Sequence, residues 1–191
     1  MVKNFPGTLI LVVGNSGSGK DSIINGVSEK YPLDLKKVYI VKRYITRPPS
    51  KTEDNYFISS EEFNEMGKKG KFALQWHIYG LDYGVPIEIE EWLKNGHTVI
   101  VNVSRTIIND TRKKYKNLKV VFIEVPLEIT LQRLKIRERE SEQGLKERIE
   151  RARNNQKFTE ADFEIDNSGE LDEAISQFLN YVISIVKYNK H

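Results

Sequence analysis

Gly14, Gly19 and Lys20 fall in the run Gly14-Asn15-Ser16-Gly17-Ser18-Gly19-Lys20, two glycines and a lysine at the offsets of a phosphate-binding loop. Glycines at such a bend let backbone amides turn inward onto phosphate oxygens, and the N-terminus of a following helix adds positive potential. Lys20 would then reach the outer phosphates of a nucleotide. A strand-to-helix turn without a ligand is the plainer reading, but a purely structural lysine has no reason to follow this glycine pattern.

The next residue departs from the common motif. A serine or threonine normally ligates Mg²⁺ there, and this chain has Asp21 followed by Ser22. A carboxylate about 4 Å from a phosphate charge costs about 4 kcal/mol at an effective dielectric of 20, unless a cation lies between them. Asp21 is therefore expected on the metal side of the nucleotide, directly or through water, with a helix N-cap as the alternative. Phosphate-loop enzymes also carry an aspartate at the end of a second apolar strand, where this chain has Val101-Asn102-Val103-Ser104. The metal-facing charge is read as having moved to Asp21.

The elements that must position these groups are legible as an α/β pattern. Thr8 to Val13 is a short apolar run of the type buried on both faces of a parallel sheet, and a helix from Asp21 to Lys30 is stopped by Pro32. Further strands are predicted at Lys37–Val41, Phe72–Ile78, Thr98–Val103, Lys119–Val125 and Asp162–Asp166. Arg43 to Asn55, with its Pro48-Pro49, reads as a loop. Helices are predicted from a Ser59/Glu62 capping box to Gly67, from Pro86 to Gly96, over Thr106–Tyr115, over Pro126–Arg139, over Leu145–Lys157 and over Glu170–Lys187. Ser141 to Gly144 is expected to break the helical stretch between Arg139 and Leu145. Strand alternating with helix predicts a parallel β-sheet core flanked by helices.

With 191 residues and 22.2 kDa, one domain is expected. A composition of 39% hydrophobic, 30% charged and 10% aromatic residues excludes disorder for the bulk of the chain. Thirty basic against 27 acidic side chains leave a net charge of +3, spread over scattered pairs such as Lys36-Lys37 and Lys68-Lys69, so a nucleic-acid partner is not expected. The absence of cysteine excludes disulfides, thiolate metal sites and a cysteine nucleophile. No apolar run approaches the roughly 20 residues of a membrane span, and Met1–Pro6 lacks the apolar core of a signal peptide, so a cytoplasmic protein without membrane contact is expected. Oligomeric state is left open, a homodimer included.

Five segments together carry a family resemblance: residues 14–22, Arg43-Tyr44-Ile45-Thr46-Arg47, Leu74-Gln75-Trp76-His77, Gly80-Leu81-Asp82-Tyr83-Gly84-Val85 and Val101-Asn102-Val103-Ser104-Arg105. They resemble the ribose 1,5-bisphosphate phosphokinases of phosphonate catabolism, guanylate-kinase-like phosphate-loop kinases whose own loop ends in lysine-aspartate-serine. The resemblance implies transfer of the γ-phosphoryl group of ATP, with Mg²⁺, to ribose 1,5-bisphosphate, giving 5-phosphoribosyl 1-diphosphate and ADP. It implies an acceptor-binding region near 34–96, a lid near 137–148 and a core formed by about 1–33, 97–136 and 149–191.

By residue, the resemblance assigns Gly14, Asn15, Ser16, Gly17, Ser18, Gly19, Lys20, Asp21, Ser22, Arg137 and Asn167 to the nucleotide, Asn167 at the adenine. Arg139 and Arg148, as lid residues, join Lys20 of the loop as catalytic groups, although arginines among glutamates otherwise read as a solvated helix face; Arg151 and Arg153 are less favoured. Arg43, Arg47, His77, Tyr83, Asn102 and Arg105 are assigned to the phosphorylated sugar, His77 against the alternative of a packed ring, and Tyr83 because flanking glycines should expose its hydroxyl. The departures from guanylate kinases proper cluster where guanine would be read: Arg43 replaces a base-contacting serine, the Trp76–Gly80 segment lacks the base-reading glutamate, and Ser50 and Asn55 replace phosphate-binding groups. A guanylate kinase and a catalytically silent phosphoprotein-binding module are the alternatives. The attacking atom would be a phosphate oxygen, already ionised near neutrality because its second pKa is about 6, so no strong general base is needed.

Overall fold

The computed structural model describes residues 2–48, 54–136 and 142–188. Its central element is β1 (Leu9–Gly14), in which Leu9, Ile10, Leu11, Val12 and Val13 are all fully buried. Leu9, Leu11 and Val13 face one apolar cluster and Ile10 and Val12 the other, as the two-residue period of a strand requires when both faces are covered. Each such side chain contributes about 1.5–3 kcal/mol of burial free energy.

β1 lies in the middle of a five-stranded parallel sheet with β2 (Val38–Ile40), β7 (Thr98–Asn102), β8 (Leu118–Glu124) and β9 (Phe163–Asp166), in the order β2-β7-β1-β8-β9. Because the strands that follow β1 lie on both sides of it, β2 and β7 on one and β8 and β9 on the other, the crevice beyond its carboxyl end is where an open α/β sheet receives ligands. Helices α1 (Lys20–Lys30) and α7 (Leu171–Tyr188) cover one face, and Gly26 allows their contact: a Cβ there would come within 2.3 Å of Ile175 Cδ1. α1 ends as predicted, with Tyr31 extended before Pro32.

The second sheet holds β3 (Tyr44–Ile45), β4 (Tyr56–Phe57), β5 (Phe72–Ile78) and β6 (Leu81–Pro86), in the order β4-β3-β6-β5. One apolar cluster contains Ala73, Trp76, Tyr83 and Val85 of this sheet together with Leu11, Val101 and Phe122 of the first. Here the predicted boundaries needed correction. The loop expected over Arg43–Asn55 includes β3, and the helix expected from Pro86 starts only at Ile89 as α3 (Ile89–Lys94), because Leu81–Pro86 is a strand paired antiparallel with both β3 and β5. Its partners come from distant sequence, and two residues of β3 or β4 are too few to show a period.

The remaining helices are α2 (Ser60–Lys68), α4 (Ile108–Lys114), α5 (Leu127–Ile136) and α6 (Glu142–Asn154). The α2 capping box forms as predicted, with Ser59 Oγ accepting from Glu62 N at 3.1 Å and Glu62 Oε2 accepting from Ser59 N at 3.1 Å. The helix predicted from Thr106 begins as a 3₁₀ turn over Arg105–Ile107. Gly144 does not interrupt the helical stretch, since α6 is already helical from Glu142. Of the expected lid, residues 137–141, including Arg137 and Arg139, lie outside the described residues, as do residues 49–53 with Ser50.

Candidate active site

Beyond the carboxyl ends of β1 and β7 opens a cavity of about 330 Å³. Its floor is the loop Gly14–Gly19, where Gly17 and Gly19 take left-handed φ values of +86° and +85°, a region that costs residues bearing a Cβ. Gly19 is also sterically required, because a Cβ would lie 2.5 Å from Asn167 Nδ2. The loop closes on itself where Ser18 N donates to Asn15 O at 3.1 Å, and Lys20 Nζ folds back to donate to Gly14 O at 3.0 Å and Asn15 O at 2.8 Å. An ammonium held across the loop this way stands at the point where phosphate oxygens would meet the backbone amides.

Asp21 lies one residue inside α1, whose N-cap is Gly19, so the N-cap alternative does not hold. Its Oδ1 accepts from Asn102 Nδ2 at 2.7 Å, joining the loop helix to the last residue of β7. Among the described residues no three His, Cys, Asp or Glu side chains gather as a metal cage. A single carboxylate beside phosphates suits Mg²⁺, which commonly takes one or two carboxylates and completes its shell with phosphate oxygens and water.

The cavity wall is cationic. Lys20, Arg43, Arg47, Arg105, Arg148 and Arg151 line it, and among the described residues Asp21 is the one carboxylate that does so. Arg43 is 8% exposed, with Nε donating to Asn55 Oδ1 at 3.1 Å. Arg105 donates from Nη1 to Asn155 O at 2.7 Å and from Nη2 to Asn15 Oδ1 at 3.2 Å, with its guanidinium 4.7 Å from the Phe122 ring centroid. Burial, together with the charge of Arg151, lowers its pKa to about 10, so it stays cationic at neutral pH. Arg148 Nη1 donates to Ser16 Oγ at 2.7 Å, and Asn15 Nδ2 donates to Asn155 O at 3.1 Å, so the middle of α6 and the residue just after it are tied to the phosphate loop.

Of the residues predicted for the site, Gly14, Asn15, Ser16, Gly17, Gly19, Lys20, Asp21, Ser22, Arg43, Arg47, Tyr83, Asn102, Arg105 and Arg148 line this one cavity. Ser18 lies beneath it, 1% exposed. Three expectations change. His77 faces away on β5: its side chain is 62% exposed and its Nδ1 is 2.7 Å from Asp82 Oδ1, while Trp76 and Ile78 line the cavity, as strand alternation dictates. Tyr83 is only 8% exposed and stacks on Trp76 with ring centroids 5.2 Å apart; Gly84 beside it makes room for the Phe72 ring rather than exposing the phenol. Asn167 is 2% exposed below the loop, donating from Nδ2 to Ser18 O at 2.8 Å, and is not among the lining residues.

Sequence reasoning missed Tyr79 and underrated Arg151, both of which line the cavity. It also missed Arg133, whose Nη1 lies 3.5 Å from Gly17 O. Arg133 and Arg151 were hidden among mixed charges on helices, whereas Tyr79 had a readable signal in its place directly before Gly80 at a hairpin tip.

The guanylate kinase family model matches residues 6–184, nearly the whole chain. The chain belongs to the guanylate kinase family. Within the family its similarity to ribose 1,5-bisphosphate phosphokinases PhnN is high: 38% identity to that of Pseudomonas paraeruginosa, covering 92% of this chain and 95% of the relative, and 38% to that of Bradyrhizobium diazoefficiens, covering 87% and 83%. Among solved structures, guanylate kinase from Anaplasma phagocytophilum superposes with a TM-score of 0.66 at 19% identity, over 97% of this chain and 89% of that one. That likeness places the family's fold on this chain, a parallel sheet core flanked by helices.

Proposed function

We propose that this protein phosphorylates ribose 1,5-bisphosphate with ATP, releasing ADP and 5-phosphoribosyl 1-diphosphate. The observation that carries the reading is the wall at the phosphate loop, where among the described residues six cationic side chains face one carboxylate, and that carboxylate already accepts from Asn102. Such a wall suits two clustered polyanions, a triphosphate and a sugar bisphosphate, better than a purine edge, which requires donors and acceptors placed for it. The names of the relatives agree.

In this reading the Gly14–Gly19 amides and Lys20 hold the ATP phosphates, and Asp21 with Ser22 would face Mg²⁺, which would supply neutralising charge to them when bound. Arg43, Arg47 and Arg105 take the acceptor phosphates from the second-sheet side and from the end of β7. An ionised oxygen of the acceptor's 1-phosphate forms the new bond to the γ-phosphorus as the bond to the β,γ-bridging oxygen breaks, and ADP leaves with that electron pair. No proton is removed in this step, so the residues contribute alignment and charge neutralisation. A positioned arginine in such a site contributes on the order of 10³ to 10⁵ in rate, and Arg148, held at the loop by Ser16, is the described candidate. Residues 34–96 would then form the acceptor-binding region of a single kinase domain.

The test is an ADP-release assay with Mg²⁺ and ATP that compares ribose 1,5-bisphosphate with GMP. Turnover with the sugar bisphosphate and none with GMP is expected. Robust turnover of GMP alone, or metal-independent nucleotide binding with no turnover of either acceptor, overturns the reading.

A further inference from the structure

At the tip of the β5–β6 hairpin, Tyr79 has φ +55°, the one non-glycine residue with positive φ among the described residues. A tyrosine pays a steric penalty in that region, which asparagine and glycine largely avoid. Gly80 beside it also has a positive φ, +69°, with open space around it, so the turn itself does not demand an aromatic side chain. The ring is not there for the apolar core either: Tyr79 belongs to neither apolar cluster, and it lines the cationic cavity.

The ring meets α6. The Arg148 guanidinium lies 4.5 Å from its centroid and that of Arg151 5.6 Å. Arg148 is the residue whose Nη1 donates to Ser16 Oγ on the phosphate loop. A guanidinium stacked on a π-face is held by its plane, while its N–H donors, which lie in that plane, stay directed at hydrogen-bond acceptors. Burial of the phenol raises its pKa above the ordinary tyrosine value despite both arginines, so the ring faces them uncharged at neutral pH.

We propose that Tyr79 is a positioning residue that clamps Arg148 and Arg151 over the phosphate loop from the acceptor-side hairpin, so that α6 presents both guanidinium charges to the transferring phosphate. The inference rests on the phosphoryl-transfer reading above, although not on the identity of the acceptor.

The backbone strain makes the clamp testable apart from stability. Tyr79→Asn relieves the left-handed strain and removes the ring, so its melting temperature should equal or exceed that of the unchanged protein. Its kcat should nevertheless fall about tenfold, with KM for the acceptor changed less than about twofold. Tyr79→Phe keeps the ring and should recover most of that loss. In an Arg148→Ala background, Tyr79→Asn should cost little more, because the residue it positions is gone. Affinity for an ATP analogue with a non-transferable γ-phosphate, measured by titration without any acceptor, should drop severalfold in Tyr79→Asn. That titration reads the clamp even if the sugar bisphosphate proves not to be the acceptor. Unchanged kcat and analogue affinity in Tyr79→Asn, equal losses in Tyr79→Phe and Tyr79→Asn, or full additivity with Arg148→Ala would each overturn the proposal.

Discussion

Asp21 occupies the second position of α1, directly after the loop lysine. Its offset after Lys20 suits both a metal-side ligand and a helix cap, and the cap is removed because α1 starts at Lys20 with Gly19 as its N-cap. What remains is an acid in the first helical turn, where the N-terminal dipole favours negative charge, with one oxygen held by Asn102 at 2.7 Å. Asp21→Ser should therefore leave the melting temperature within about 2 °C of the parent, while activity at limiting magnesium falls at least tenfold and partly returns as magnesium is raised. A magnesium titration of ATP turnover reads this. Equal activity of the two proteins at low magnesium would remove Asp21 from the metal. His77 and Tyr83 suit a sugar-phosphate site by type, but His77 faces solvent, while Tyr83 lines the cavity with its ring packed on Trp76.

At the level of strands and helices, the entry into β1 depends on a close backbone approach. Gly7 N donates to Leu93 O at 2.9 Å, and a Cβ at Gly7 would lie 2.2 Å from His97 O and 2.8 Å from Leu93 O, both backbone atoms that cannot rotate away. The chain leaving α3 turns there through Gly96 at φ +74° and begins β7 at Thr98, so the clash would push against the strand that carries Asn102. Gly7→Ala is expected to cost about 1–3 kcal/mol through overpacking, a fall of about 2–12 °C in Tm for a domain of this size. Thermal unfolding followed by circular dichroism checks it, and an unchanged Tm would show that the α3–β7 turn moves freely.

Across the whole molecule, a buried polar cluster joins the N-terminal segment, α3 and the end of α4. Glu90, 8% exposed, accepts from Lys3 Nζ and, at 2.6 Å, from Tyr115 OH, while Lys114 Nζ donates to Ala73 O of β5 at 2.6 Å. Burial alone would raise the Glu90 pKa, but the hydrogen bonds from Lys3 and Tyr115 and the charges of Lys3 and Lys114 outweigh it and set the pKa below the ordinary value. The same burial and bonding push the Tyr115 phenol well up. Because the folded state lowers the Glu90 pKa, its stabilisation is fully present above the unfolded value of about 4.3 and is lost as pH falls through the folded one. Glu90→Gln should therefore be less stable than the parent by about 1–3 kcal/mol at pH 7. That gap should narrow below about pH 4. Urea unfolding at the two pH values measures it, and a gap independent of pH would mean that the charge on Glu90 contributes nothing.

The sequence by itself determined the elements whose information is local. β1, α1, the α2 capping box and the phosphate loop each depend on residues within a few positions of one another, through an apolar run, a proline stop, a serine–glutamate pair and glycine spacing. The site residues near the loop could be named for the same reason. Only the tertiary structure decided which way the side chains of β5 point, that Leu81–Pro86 is a strand, and that α6 lies against the loop through Arg148, Asn155 and Asn15. These follow from pairings between residues far apart in the chain, such as Tyr44 with Gly84 or Ser16 with Arg148, whose free energy exists only once the two sheets share one core.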